Sequence, residues 1–216
     1  MVRLFGRALI FMSLLADLQA GELDVLIKDG DGNPVKDAVV FAKALIDNST
    51  NSRASTEQPR TLTIAQIDKQ FVPYVTAIRV GAAISFPNKD DILHNVYSFS
   101  KAKKFQLPLY KDEPPALVVF DKPGVVILGC NIHDWMVAYV YVLETPYFAK
   151  TDSSGRAKLK DLPLAEYRVQ ARHPRKRKRG SSPAQRILVG MEATQRSQFV
   201  IALKPEWRPQ NAQNSD

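Results

Sequence analysis

Between residues 61 and 145 the chain is a succession of short β-branched and aromatic runs. "TLTIAQ", "YVTAIRV", "AAISF", "HNVYSF", "ALVVF", "GVVILGC" and "MVAYVYVLE" follow one another, with turn chemistry such as "PNKDD" and "DKPG" between them. Val, Ile, Thr, Tyr and Phe suit a pleated, half-buried surface, while Pro, Gly, Asn and Asp cut it into segments. No stretch carries a long helical period, and "TIAQIDKQ" holds at most one short helical turn. The pattern predicts an all-β chain whose short strands close into a sandwich or barrel.

Both flanks read the same way. Residues 22–44 give two strands around "DGDGNP", where Gly and Asn accept positive φ and Pro fixes it. Residues 147–203 add "YFAKTD", "AKLKDL", "EYRVQAR", "RILVG" and "QFVIAL", punctuated by "DSSGR" and "DLPLAEY". The polar stretch 45–60 lacks hydrophobic periodicity and reads as a linker or long loop. From Lys204 the chain is a polar, frayed tail. With 216 residues, 45% of them hydrophobic, there is material for one large or two small cores.

The first twenty residues, "MVRLFGRALIFMSLLADLQA", read as an export signal. Arg3 and Arg7 form a basic start, and the apolar run from Ala8 to Ala16 is short for a membrane span. Cleavage after Ala20 fits, although Leu18 is not the small residue expected at that spacing; a retained anchor is the alternative. Export places the protein in the periplasm. Losing residues 1–20 removes two arginines and one aspartate, so the formal charge of +8 becomes +7. Much of this is local: in "RHPRKRKR", residues 172–179, six of eight residues are Arg or Lys. This run follows a strand and reads as a hairpin loop. It is either a patch for an acidic partner or anionic membrane surface, or a solvated loop. An exported chain without interleaved aromatics is not a nucleic-acid binder.

The chain has one cysteine and therefore no internal disulfide. A free thiol in an oxidising compartment needs burial or a bound metal. Cys130 lies in "GCNIHDWM", which also carries His133 and Met136, between the apolar strands "GVVIL" and "VAYVYVL". Each of these types is common as a packing residue. Together they offer a thiolate, an imidazole and a thioether from one loop. Two imidazoles, a thiolate and a weak axial thioether make a blue-copper site, in which one compromise geometry serves Cu(I) and Cu(II). The remaining histidines are His94, at the start of "HNVYSF", and His173, in the basic run and a poor candidate. Trp135, between two of the candidate ligands, either shields or docks, or packs on neighbouring structure.

On these motifs residues 61–145 resemble a cupredoxin, similar to plastocyanin and especially to amicyanin. The C-x2-H-x2-M loop and the "HNV" motif carry the likeness, although "NIHDW" departs from familiar members. The resemblance implies a type 1 copper held by His94, Cys130, His133 and Met136. It also implies that Asn88, six residues before His94, hydrogen-bonds the ligand loop. The flanks, "VLIKDGDGNPVKDAVVFAKA" and "AKTDSSGRAKLKDLPLAEYRVQARHP", resemble the carboxypeptidase regulatory-like, or transthyretin-like, β-sandwich. Glu166 stands where that family usually has glycine. This implies a split sandwich at 21–57 and 146–204 with a cupredoxin at 58–145 inserted in it, between the signal read at 1–20 and a flexible tail at 205–216.

The expected function is exported electron transfer rather than enzyme catalysis, with His133 as the electron exit. The amicyanin likeness implies an amine-oxidising pathway, with an amine dehydrogenase and a c-type cytochrome as redox partners. A non-redox copper carrier would be rich in methionine, and this chain has four, two of them in its first twelve residues. A multicopper oxidase or nitrite reductase needs more histidines than three. A Cys130–His133 hydrolase leaves His94 and Met136 unexplained. A structural β-protein leaves all four ligand types unexplained.

Overall fold

The computed structural model describes residues 20–46, 61–177, 184–190 and 194–205. Residues 1–19 of the expected signal, most of the linker, the end of the basic run and most of the tail lie outside them. Among the described residues every regular element is a strand, and no helix is long and apolar enough to cross a membrane. The order is β1 (Gly21–Lys28), β2 (Val39–Ala44), β3 (Thr61–Thr63), β4 (Ala65–Ile67), β5 (Gln70–Val72) and β6 (Val75–Arg79). Then come β7 (Ala83–Ser85), β8 (His94–Ser100), β9 (Lys103–Tyr110), β10 (Val118–Val119), β11 (Gly124–Gly129) and β12 (Val137–Leu143). The chain closes with β13 (Phe148–Lys150), β14 (Arg156–Leu162), β15 (Ala165–Arg172), β16 (Ala184–Val189) and β17 (Gln195–Val200).

Two cores hold these strands. The first lies among the sheets β6-β12-β11-β8-β9 and β10-β7-β3, with the β4–β5 hairpin beside them. Ile64, Phe86, Val96, Phe120, Leu128, Met136 and Val140 are packed in it. The second lies between sheets β14-β1-β17 and β13-β2-β15-β16, and gathers Leu23, Val25, Ile27, Leu159, Tyr167 and Phe199. The first core draws on residues 62–142, and the second on residues before and after that stretch. The sequence order explains the division: β1 and β2 find their partners in β14, β17, β13 and β15. "DGDGNP" thus turns the chain from one sheet to the other, whereas a hairpin would have paired β1 with β2. At the turn after β13, Gly155 has φ +74°, and a Cβ there would lie 2.5 Å from the Ile27 carbonyl oxygen. Only glycine fits that approach.

β12 joins the two cores. Its sequence "VAYVYVL" is apolar at every position because both faces are covered. Ala138, Val140 and Val142 enter the first core. Tyr139, Tyr141 and Leu143 point the other way, against Val39, Phe41, Val75 and Phe148.

Two elements differ from the sequence reading. Where "TIAQIDKQ" suggested a helical turn, residues 65–72 form the β4–β5 hairpin. Its two-residue tip, Asp68 and Lys69, has φ of 50° and 55°. That is the mirror-image turn favoured between twisted strands, here made without the usual Asn-Gly signal. β9, "KKFQLPLY", was not anticipated, since lysines and Pro108 weaken its strand signal. It is an edge strand, where a proline without an N–H costs no ladder bond.

Candidate metal centre

The sheet order places β8 beside β11, and β11 beside β12. Gly129 pairs with both Tyr97 and Val137. Cys130 therefore leaves the end of β11 next to the start of β8, where His94 stands. The seven residues from Cys130 to Met136 span the gap to β12. Within them the Met136 amide donates to the His133 carbonyl at 3.0 Å, a tight turn that folds His133 back toward the strands.

The result is a cluster of three candidate ligands. Single ligand atoms of His94, Cys130 and His133 all lie within 4.8 Å of one another. His94 Nδ1 is 3.9 Å from Cys130 Sγ. The two imidazole rings are 5.1 Å apart, centre to centre. His94 and Cys130 are buried, and the cysteine is free. Met136 is buried in the same core, 1% exposed. The loop thus brings His133 to His94 and Cys130. His173 stands apart; its Nδ1 accepts the Arg175 amide at 3.1 Å.

The donor set and its polar surroundings fit a soft or borderline cation. His133 Nδ1 is buried, with no hydrogen-bond partner among the described residues. A buried polar nitrogen without a partner costs about 1–3 kcal/mol, and a metal ion is one way to satisfy it. The rest of the ring is only half buried and lies against Trp135, with centroids 5.0 Å apart. Burial, and the nearby His94 and Lys69, hold the His133 imidazole below its ordinary value, against the opposing pull of Asp90. The neutral, metal-binding form is favoured. Trp135 packs on the first core as well as on His133.

Asn88 does not hold the ligand loop. Its side-chain amide donates to the Ile92 and Tyr110 carbonyls at 2.8 and 2.9 Å, and its Oδ1 accepts the Asp90 amide at 3.0 Å. It shapes the turn before β8 instead. The bond to the ligand loop comes from Asn95, whose Oδ1 accepts the Asn131 amide at 2.8 Å. His94 and Asn95 are consecutive on a strand yet both buried. A register shift between His94 and Val96 allows this, because a bulge breaks the alternation of faces. The "HNV" motif contained the signal, but the bulge that turns Asn95 inward depends on pairing with β9.

Asp90, also missed in the sequence, touches the centre. Its Oδ2 is 2.8 Å from His94 Nε2. Burial works against its charged form, but bonds from Lys69, His94 and Asp68 outweigh it and keep the carboxyl below its ordinary value.

No protein-family profile matches this chain, and no curated protein matches it. Solved structures do. A copper-containing nitrite reductase from Thermus scotoductus SA-01 is 24% identical over 39% of this chain and 22% of its own, with a TM-score of 0.37. The chain thus spans about a fifth of that enzyme's length. A purple cupredoxin from Nitrosopumilus maritimus is 24% identical over 38% of this chain and 99% of its own, with a TM-score of 0.35. An amicyanin variant in its Cu(I) form is 19% identical over 38% of this chain and 82% of its own, also with a TM-score of 0.35.

Proposed function

We propose that this chain is an exported blue-copper protein that passes single electrons between redox partners through one copper held by His94, Cys130, His133 and Met136. The observation that carries this reading is the cluster of buried His94 and Cys130 with half-buried His133, whose Nδ1 has no hydrogen-bond partner among the described residues. Copper, when bound, supplies the Cu(I)/Cu(II) couple. The chain supplies the rest. Cys130 would give a thiolate, and His94, at the start of β8, and His133, in the β11–β12 loop, would present ring nitrogens. Met136, buried in the same core, would add a thioether as a weak ligand, and such a ligand would help tune the potential. The first core excludes water behind the site, while the half-buried edge of His133 is the route to a partner.

We further propose that a cupredoxin domain, 58–145, is inserted in a carboxypeptidase regulatory-like sandwich drawn from 21–57 and 146–204, a reading supported by the two separate cores of the described residues. The amino-terminal signal directs the protein to the periplasm. An amine dehydrogenase and a c-type cytochrome are the partners we would test first, with the basic run at 172–179 as a docking patch for an acidic surface. Part of that run is anchored: the Arg177 amide donates to the Ala202 carbonyl, and the Lys204 amide to that of Arg175.

The test is the visible and EPR spectrum of residues 21–216 after addition of Cu(II), beside Cys130→Ser. An intense thiolate-to-copper band with narrow hyperfine splitting, lost in the variant, is the expected result. An ordinary weak Cu(II) spectrum, or one unchanged by the substitution, refutes the reading.

A further inference from the structure

The turn before β8 carries a carboxylate aimed at one of the candidate ligands. Asp90 Oδ2 lies 2.8 Å from His94 Nε2, and the two side chains are 12% and 0% exposed. Asp90 is itself held firmly. Its Oδ1 accepts the Asp68 amide at 2.7 Å, and its Oδ2 the Lys69 amide at 2.9 Å. These two amides are the tip of the β4–β5 hairpin, so a separate element of the fold braces the carboxylate. From the other side, Asn88 accepts the Asp90 backbone amide and fastens the turn to Ile92 and Tyr110.

The chemistry follows from donor and acceptor inventories. An ionised carboxylate only accepts, so a His94 ring that carries a single proton holds it on Nε2. The lone pair is then on Nδ1, the atom facing Cys130 Sγ at 3.9 Å. A carboxylate acceptor on the far nitrogen also makes an imidazole a stronger electron donor. Stronger donation favours the more highly charged cation.

We propose that Asp90 is the positioning residue of the metal centre: it locks His94 in the Nε2–H tautomer and biases the site toward Cu(II) over Cu(I). The proposal rests on the copper reading above. Removing the charge while keeping the shape, as in Asp90→Asn, is expected to weaken Cu(II) binding about 10- to 100-fold, and Cu(I) binding less. A tenfold difference between the two states raises the reduction potential by about 59 mV.

Two measurements on the full chain test it. Nitrogen-15 NMR of the metal-free wild type at pH 8 reads the His94 tautomer directly and needs no variant to fold. A protonated Nε2 and bare Nδ1 are expected; a protonated Nδ1 overturns the proposal. Redox titration of copper-loaded wild type and Asp90→Asn then reads the potential. A rise supports the proposal, and an unchanged or lowered potential overturns it. Should the wild type show no thiolate-to-copper band, the electron-transfer reading fails, and the tautomer alone upholds or overturns the role of Asp90.

Discussion

Replacing Asn95 with alanine should loosen the ligand loop without dismantling the core. Asn95 is 3% exposed, and its Oδ1 is the acceptor for the Asn131 amide, in the residue directly after Cys130. With that oxygen gone, the amide is left in a partly buried position without its partner. A fully buried orphan costs about 1–3 kcal/mol, so the partial burial here sets the loss of stability at about 1–2 kcal/mol. If copper needs the loop in its present position, much of the same energy reappears in binding. At 1.4 kcal/mol per tenfold, copper affinity falls by about a factor of ten. Urea denaturation of the metal-free protein reads the first quantity, and competitive copper titration the second. Asn95→Asp, which keeps an oxygen at the same place, should recover most of both. Asn95→Ala with stability within about 0.3 kcal/mol of wild type and undiminished affinity would refute the loop-anchoring argument.

Three other outcomes follow from named contacts. Thr151, 1% exposed, accepts the Ala38 amide at 2.8 Å and donates to the Val35 carbonyl at 2.7 Å, tying the two chain segments of the second core. Thr151→Val leaves both groups unpaired and should cost about 2–4 kcal/mol in urea unfolding of that core while leaving the copper spectrum intact; a loss below about 1 kcal/mol contradicts this. A Cβ at Gly129 would stand 2.7 Å from the Tyr97 ring, so Gly129→Ala should destabilise by about 1–3 kcal/mol. In a Tyr97→Ala background that cost should vanish, and a double-mutant cycle without coupling rules the clash out. Asp152 accepts from the Ser154 hydroxyl at 2.6 Å, the Arg156 amide at 3.1 Å and the Ser154 amide at 2.8 Å. These bonds hold its carboxyl below the ordinary 3.8. The folded value lies below the unfolded one, so this contribution to stability is complete above the ordinary pKa and lost as pH falls through the folded value. An NMR titration of Asp152 with a midpoint at or above 3.8 would disprove it.

Much of the fold was readable locally. The alternation in β1, with Leu23, Val25 and Ile27 inward, is written in consecutive residues. So is the unbroken apolar run of β12. Residue types also pointed to the candidate ligands, since a lone cysteine, a histidine and a methionine offer three soft or borderline donors on one loop. The hairpin at Asp68 and Lys69 and the strand β9 were hidden, because their local chemistry is untypical of the structure they adopt. Tertiary pairing overrode it.

The division between the two kinds of information is physical. Side-chain period, turn residues and ligand types depend on neighbours in the chain, and the sequence by itself determined an all-β protein with Cys130, His133 and Met136 on one loop. Which asparagine holds that loop depends on a bulge, and the bulge depends on how β8 meets β9. Which carboxylate faces His94 depends on where the β4–β5 tip lands. Those contacts join residues about twenty to forty positions apart. No local pattern encodes them, because their energy exists only once the sheets have packed.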